Sequence, residues 1–528
     1  LASGEDQQRR AALLNYTSLL GHRQNDHLTL GLYARGLDWL PDLGYPLSWD
    51  YRWQWDSNSL AHNTVTVDET QPRQDFGGFG RLFASEGGVH VIVADHDPYP
   101  MDRVEPARDG AAPTQLYERL VVLVDVDDDR FYMVDLFAVD GGDQHDQSWH
   151  GPLVPVVAPD LDWTNQPEGT LAGSEVEQFG KWTDRWGRAR DDFPGFLKDI
   201  RRVTLSEPAA WTWPSDLPEG DGLRLHLVPV GGPLEVIGGR GRSPARPEDW
   251  GLDYVLARRQ VEDGEASVFV SVLDAYQGEP VVEKVRLISA SPLVLEVERE
   301  GATDRIQLQV PSTPSTTMDH RTIGVRVQTS VAGQGTRDVR IGEWAPGEGA
   351  YTTTGIVAVD YAANRVAIVA PGGDQWLGRT LRIYNDARAA LYRVTDVVAD
   401  GERLWLSLDH SALLGRGTVS DVEDGRLHLD AYLTFAQRRP VEEGDLVPGP
   451  DYYAGSWIGA GDRFVKVAGA VQGGDAEDER NSIYLNSSGE STSGSADALV
   501  RDFTGQAVEI WQYGVGDQLE LARVEILR

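Results

Sequence analysis

The chain has 528 residues, with 83 Asp and Glu against 48 Lys and Arg, and a formal net charge of −35. A surface of that sign repels nucleic acid and anionic lipid at long range, so an anionic polymer would need a locally basic or metal-bearing site. Cysteine is absent, which excludes disulfides, thiolate nucleophiles and cysteine zinc sites. No run of about 18 apolar residues exists to form a membrane-spanning helix.

Residues 7–20 (QQRRAALLNYTSLL) are the one stretch whose composition predicts a helix, and a short one. From Gly21 onward the period is two. His22, Gln24, Asp26, Leu28, Leu30 and Leu32 fall on one parity, predicting a strand with His27 on its opposite face. Similar runs follow at 63–68, 89–95, 119–125, 130–137, 223–230, 266–273, 282–288, 293–298 and 305–310. Asp- and Gly-rich turns separate several of them. Residues 181–216 break the pattern with Trp182, Trp186, Trp211 and Trp213 among Arg, Asp and Pro, predicting an excursion over the sheet surface that lines a groove. Arg188, Arg190, Arg201 and Arg202 are candidate contacts for an anionic chain, with solvated surface arginines as the plainer account.

A Pro/Ser/Thr cluster at 311–317 and the Gly-rich stretch 346–350 bracket a domain boundary. Strand patterns resume at 356–369, 378–384, 404–408 and 427–435, a polar connection spans 472–497, and the pattern closes at 507–513 and 519–527. Many strands without amphipathic helices between them predict an all-β protein: a large antiparallel β-sandwich over 21–345, then a smaller β-sandwich domain over 346–528.

Histidine is concentrated near the beginning. Seven of the eleven, His22, His27, His62, His90, His96, His145 and His150, lie in the first 150 residues. With no cysteine, a transition-metal site must use imidazole together with carboxylate or amide oxygens. Three pieces carry the density: GHRQNDHLTL at 21–30, leading into PDLGY at 41–45; AHNTVTVDE at 61–69; and GGDQHDQSWHGP at 141–152. The aromatic run WDYRWQW places Tyr51 nearby, as an acid, a sugar-stacking ring or a packed core residue.

Taken in order, these pieces resemble the heparinase II/III-like family. There a strand entry reading His-x-His-x-Asp is followed by Asp-x-Gly and then by a His-Asn-Thr-Val strand. The matching positions are His22, Gln24, Asp26, Asp42 and His62, and the third piece matches at His145, Trp149 and His150. The resemblance spans roughly residues 15–345. It implies a polysaccharide lyase acting on uronic-acid-containing polymers by β-elimination, with His22 catalytic; Tyr51 is a catalytic candidate from the aromatic run and not from the resemblance. Asn63, His145 and His150 would bind substrate, and Gln24, Asp42 and His62 a divalent metal ion with zinc as the candidate. Gln24 departs from the family pattern, which has an imidazole there; an amide oxygen is a harder and weaker ligand.

The same resemblance implies an (α/α) toroid upstream, of which residues 1–20 would be a remnant or linker. It also implies an anionic polysaccharide as partner and a secreted or periplasmic location. The alternative is a non-catalytic carbohydrate-binding β-sandwich, favoured by Gln24; a glycoside hydrolase with paired carboxylates is the third reading. The products separate lyase from hydrolase, since elimination leaves an unsaturated sugar.

Overall fold

The computed structural model describes residues 1–4, 8–16, 24–44, 51–70, 78–96, 114, 116–216, 219–242, 251–261, 265–309, 323–333, 335–344, 351–373, 375–423, 426–431, 433, 437–438, 452–472, 481–485 and 502–527. Nearly all regular structure among them is antiparallel β, as the period-two patterning predicts. The chain divides into two units, Leu1–Ala350 with Val524–Arg528, and Tyr351–Arg523.

The first unit holds four principal sheets. A seven-stranded sheet runs in the order Ala209–Asp216, Glu219–Val228, Ser267–Gln277, Phe131–Asp140, Leu116–Asp125, Val89–Asp95, Phe79–Glu86. A six-stranded sheet runs Thr164–Asn165, Lys198–Leu205, Leu234–Gly241, Leu252–Gln260, Gln144–His150, Val65–Val67. Their inner faces share one core, in which Val121, Phe137, Trp149, Trp211, Trp213 and Leu225 are buried. A smaller four-stranded sheet, built on Arg10–Leu14 and Leu30–Ala34, joins that core through Leu14, Leu30 and Leu32. A further six-stranded sheet, starting with Val282–Ala290, is completed by Val524–Leu527 pairing with Gly335–Gly342.

The second unit contains a closed six-stranded barrel and a seven-stranded sheet. Its cores include Trp376, Leu406 and Leu519 in one cluster and Leu427, Val465 and Ile483 in another.

Three sequence expectations change. The helix predicted within 7–20 is, over its described part, the strand Arg10–Leu14, paired with Leu30–Ala34. Its burial alternates, with Arg10, Ala12 and Leu14 inward, and Arg10 lies 2.7 Å from Asp125. Sheet pairing and that buried ion pair override local helix propensity. The strand predicted from residue 22 begins at Leu30 instead, because Leu28 takes a left-handed backbone (φ 54°) that breaks the alternation. His27 therefore does not face away from a strand; it is buried and stacks on His96 with ring centroids 4.0 Å apart. Finally, much of 181–216 is sheet rather than surface excursion: Lys198–Leu205 and Ala209–Asp216 are strands, and Trp211 and Trp213 are fully buried. No helix among the described residues is long and apolar enough to cross a membrane.

Candidate functional site

A cavity of ≈ 540 Å³ opens beside the four-stranded sheet. Its polar lining includes Asp26, Asp42, His62, Asn63 and His150, and its apolar lining includes Leu13 and Tyr33. The polar residues come from three separate pieces of chain. His62 caps the C-terminal end of the short 3-10 helix Ser59–Ala61, whose first turn Asn58 caps by accepting from the Leu60 N–H. Asn63 follows, and its side-chain oxygen accepts the backbone N–H of His150 at 2.8 Å. His150 ends the strand Gln144–His150.

A buried arginine holds this junction. Arg119 forms a two-point ion pair with Asp135 at 2.6 and 3.1 Å. It also donates to the carbonyls of Leu28 and Asn63, at 2.7 and 2.6 Å. Both charged side chains are fully buried, so the pair and its carbonyl partners replace the lost water.

Asp42 stands at the mouth of the cavity. Its Oδ1 accepts the Gly44 N–H at 2.6 Å, a tight Asx-type turn, while its Oδ2 lies 3.6 Å from His62 Nδ1. Gln24 reaches the same turn, its Nε2 donating to the Gly44 carbonyl at 2.9 Å. The structure thus brings Gln24, Asp42 and His62 together around one loop, and places Asn63 and His150 with His62 on the cavity wall.

Electrostatics distinguish these groups. Burial first, then the neighbouring His62, pushes His150 down to about 4; the Gly151 backbone and Asp42 oppose the shift. His150 is therefore a neutral imidazole at pH 7. A carboxyl that the sequence reading passed over, Asp56, is pushed up to about 6 by burial, against the pull of Arg242, His62 and Arg52. It closes the five-residue π-helical turn Arg52–Asp56, is 1% exposed, and among the described residues has no hydrogen-bond partner on either oxygen. No local pattern marks it, because its character comes from burial.

Other candidates lie apart. His145 is five residues from His150 on one strand, so the two rings project from opposite faces. Its Nδ1 meets Ser267 Oγ and its Nε2 the Gly141 carbonyl, each at 2.6 Å, which makes it a scaffold histidine. Tyr51 stacks on Phe179 at 4.8 Å and lies under Arg242, packed with a second aromatic cluster rather than lining the cavity. His22 lies outside the described residues. Arg188 and Arg190 are held by Asp184 and Asp192 and donate to the carbonyls of Asp68 and Glu69.

The donor atoms suit a divalent cation. Gln24 Oε1 is buried and has no hydrogen-bond partner among the described residues. The 3.6 Å between His62 Nδ1 and Asp42 Oδ2 exceeds a hydrogen bond. It is close to the ~3.4 Å expected between two tetrahedral ligands each about 2.1 Å from one ion. Among the described residues no three His, Asp or Glu side chains cluster closely enough to enclose an ion alone, so the third donor would be the Gln24 amide oxygen.

Residues 10–184 match the family described as Heparinase II/III-like, C-terminal, which bears out the motif resemblance over a shorter stretch than the 15–345 read from the sequence. None of the curated proteins compared matches the chain significantly. Among solved structures, heparan sulfate lyase HepC from Pedobacter heparinus is similar with a TM-score of 0.37 and 14% identity, covering 60% of this chain and 41% of that one. A heparinase III structure is similar with a TM-score of 0.36 and 14% identity, covering 64% of this chain and 40% of that one. The chain thus spans about two fifths of the length of these structures.

Proposed function

We propose that the chain is the β-sheet part of a polysaccharide lyase that cleaves uronic-acid-containing polysaccharides, alginate or glycosaminoglycan-like, by β-elimination. The observation that carries this reading is the convergence of Asp42, His62, Asn63 and His150 on one cavity, inside the stretch that matches a heparinase II/III-like module.

β-Elimination asks for three things. The carboxylate next to C5 must be neutralised so that charge developing there is tolerable. A base must take the C5 proton, and an acid must protonate the departing O4. A neutral His150 holds a sugar hydroxyl or carboxylate by one hydrogen bond, and supplies no positive charge near neutral pH. Asn63 is committed through its oxygen to His150, so its side-chain NH2 is the group free to orient a sugar oxygen. His22 is assigned to the base or carboxylate-neutralising role. Protonation of O4 falls to a group of an upstream (α/α) toroid, the proposed partner domain, since Tyr51 packs away from the cavity.

Gln24, Asp42 and His62 would hold a divalent ion, zinc being the candidate, which when bound supplies fixed positive charge and braces the loop beside the cavity. The polymeric substrate lies outside the cell, which makes the protein secreted or periplasmic.

The test is an ultraviolet assay for unsaturated uronate, using the chain expressed with its upstream coding region on alginate, glycosaminoglycan and ulvan. Absorbance that rises on one polymer and is lost in His22→Ala and His62→Ala supports the lyase. Silence on every polymer from a folded protein supports the carbohydrate-binding alternative instead.

A further inference from the structure

His62 stands between two carboxylates. On the cavity side its Nδ1 lies 3.6 Å from Asp42 Oδ2. Across the ring its Nε2 is buried and, among the described residues, has no hydrogen-bond partner. Asp56 is the second carboxylate, six residues upstream. It is 1% exposed, and neither of its oxygens finds a hydrogen-bond partner among the described residues.

The local fold gathers these groups. Backbone N–H groups donate from Ser57 to Arg52, Asn58 to Trp55, Ala61 to Asn58 and His62 to Ser59, which coils residues 52–62 into one compact segment. Every residue from Trp55 to Thr70 is buried. Tyr254 packs along this segment: its ring meets the Trp55 ring edge-on at 5.5 Å, and its hydroxyl donates to the Ala61 carbonyl at 3.2 Å. The same ring lies 5.3 Å from that of His150. Arg242 joins through its carbonyl, which accepts the Trp55 indole N–H at 2.9 Å. Asp56 thus shares one buried neighbourhood with His62, His150 and Arg242. Its electrostatics agree, since burial raises its carboxyl and the fields of Arg242, His62 and Arg52 oppose the rise.

A neutral imidazole carries one proton, on one of its two nitrogens. With the proton on Nδ1, His62 would donate towards Asp42 and leave a lone pair buried at Nε2. With the proton on Nε2, a lone pair faces the cavity and the buried N–H needs an acceptor. The two carboxylates compete unequally for that proton. Asp42 has its side chain 48% exposed, and its Oδ1 is already taken by the Gly44 N–H, so water weakens its hold. Asp56 is shut away from water, where a charge-assisted hydrogen bond is strongest and an unpaired acceptor costs most. The neutral ring of His150 is a weaker acceptor than either.

We propose that Asp56 is a positioning residue for His62: through one bridging water it accepts from Nε2–H, and so fixes the tautomer that turns the Nδ1 lone pair to the cavity. Buried polar groups without protein partners hold ordered waters of this kind. Metal-ligating histidines are commonly set in the same way, by an acceptor that takes the opposite N–H. The use of that lone pair on a cation rests on the function proposed above; the tautomer does not.

The experiment is NMR on the full chain labelled with ¹⁵N at histidine, without zinc, at pH 8, above the ordinary histidine range. The His62 signals are identified from His62→Gln. The parent should carry its proton on Nε2. Asp56→Ala should move it to Nδ1, where Asp42 is the remaining acceptor, and should weaken zinc about tenfold or more in competition with a chelator. Asp42→Ala should leave the proton on Nε2. Asp56→Asn keeps the shape and an acceptor oxygen but loses the charge, so the proton should stay on Nε2 with its signal moved upfield; this variant reads the link even if Asp56→Ala does not fold. A parent protonated on Nδ1 or on both nitrogens, an unmoved tautomer in Asp56→Ala, or an unmoved Nε2–H signal in Asp56→Asn would each overturn the proposal. A lower melting temperature in Asp56→Ala with the tautomer unchanged would overturn it too, leaving Asp56 a purely structural carboxylate. The expected tautomers in a parent that binds no zinc would sink the metal reading and leave the proposal standing. Zinc bound equally by the parent and Asp56→Ala, with the tautomer unmoved, would sink the proposal alone.

Discussion

Asn63 and His150, 87 residues apart in the chain, are joined by a 2.8 Å hydrogen bond from the His150 backbone N–H to the Asn63 side-chain oxygen. Both residues are buried and both line the cavity that also receives Asp42 and His62. The bond ties the end of a sheet strand to the loop that carries His62. Asn63→Ala removes the acceptor and leaves a buried N–H unsatisfied, at a cost of about 1–3 kcal/mol. Urea denaturation of the variant beside the parent measures it, and an unchanged midpoint would show that the bond does not hold the junction.

Arg119 sits behind that junction. Truncation to Ala would strand the Asp135 carboxylate in the core and release the Leu28 and Asn63 carbonyls. Breaking one side of such a buried pair costs about 3–5 kcal/mol. The double replacement Arg119→Met with Asp135→Leu should recover much of this, because it leaves no buried charge behind. Thermal melts of the single and double variants give the comparison, and equal losses in both would refute the account.

Gln24 provides a test in the direction of gain. If Gln24, Asp42 and His62 hold an ion, Gln24→His supplies a second imidazole and should tighten zinc by at least tenfold, while His62→Ala should abolish stoichiometric binding. Zinc titration against a competing chelator reads both. A Gln24→His protein with the parent's zinc affinity would remove Gln24 from the ligand set.

Asp274 carries a pH dependence far from the site. Burial pushes its carboxyl up to about 7 from an ordinary 3.8, the Val282 and Val281 backbone N–H groups opposing the shift. The folded chain therefore keeps a proton that the unfolded chain has lost between pH ~4 and ~7, so this group's contribution to stability falls as pH rises through that window and is level above it. Asp274→Asn retains an oxygen for the Val282 N–H, which the parent accepts at 2.8 Å. The stability difference should grow in favour of the variant from pH 4 to 7, reaching at most on the order of 4 kcal/mol. Denaturation midpoints at pH 4, 5.5 and 7 that run parallel for the two proteins would contradict this.

What was legible in the sequence follows from local chemistry. Alternation of apolar and polar residues requires strands, and strands without helices between them require stacked or closed antiparallel sheets, hence the all-β architecture. The His-Asn-Thr-Val stretch marked His62 and Asn63, and the ordered pieces marked Asp42 and His150, because short motifs keep their residue types wherever the chain carries them. Local pattern reached no further. It read Arg10–Leu14 as helix, since nothing in RAALL announces a partner strand at Leu30–Ala34 or a buried ion pair with Asp125. It grouped His145 with His150, although five positions along a strand turn two side chains to opposite faces and the former is spent on Ser267 and Gly141. It passed over Asp56, whose character lies in burial and in carboxylate oxygens that find no hydrogen-bond partner among the described residues. Those properties are set by chain segments tens to hundreds of residues away, and only their packing in three dimensions removes the water that would otherwise satisfy every one of these groups.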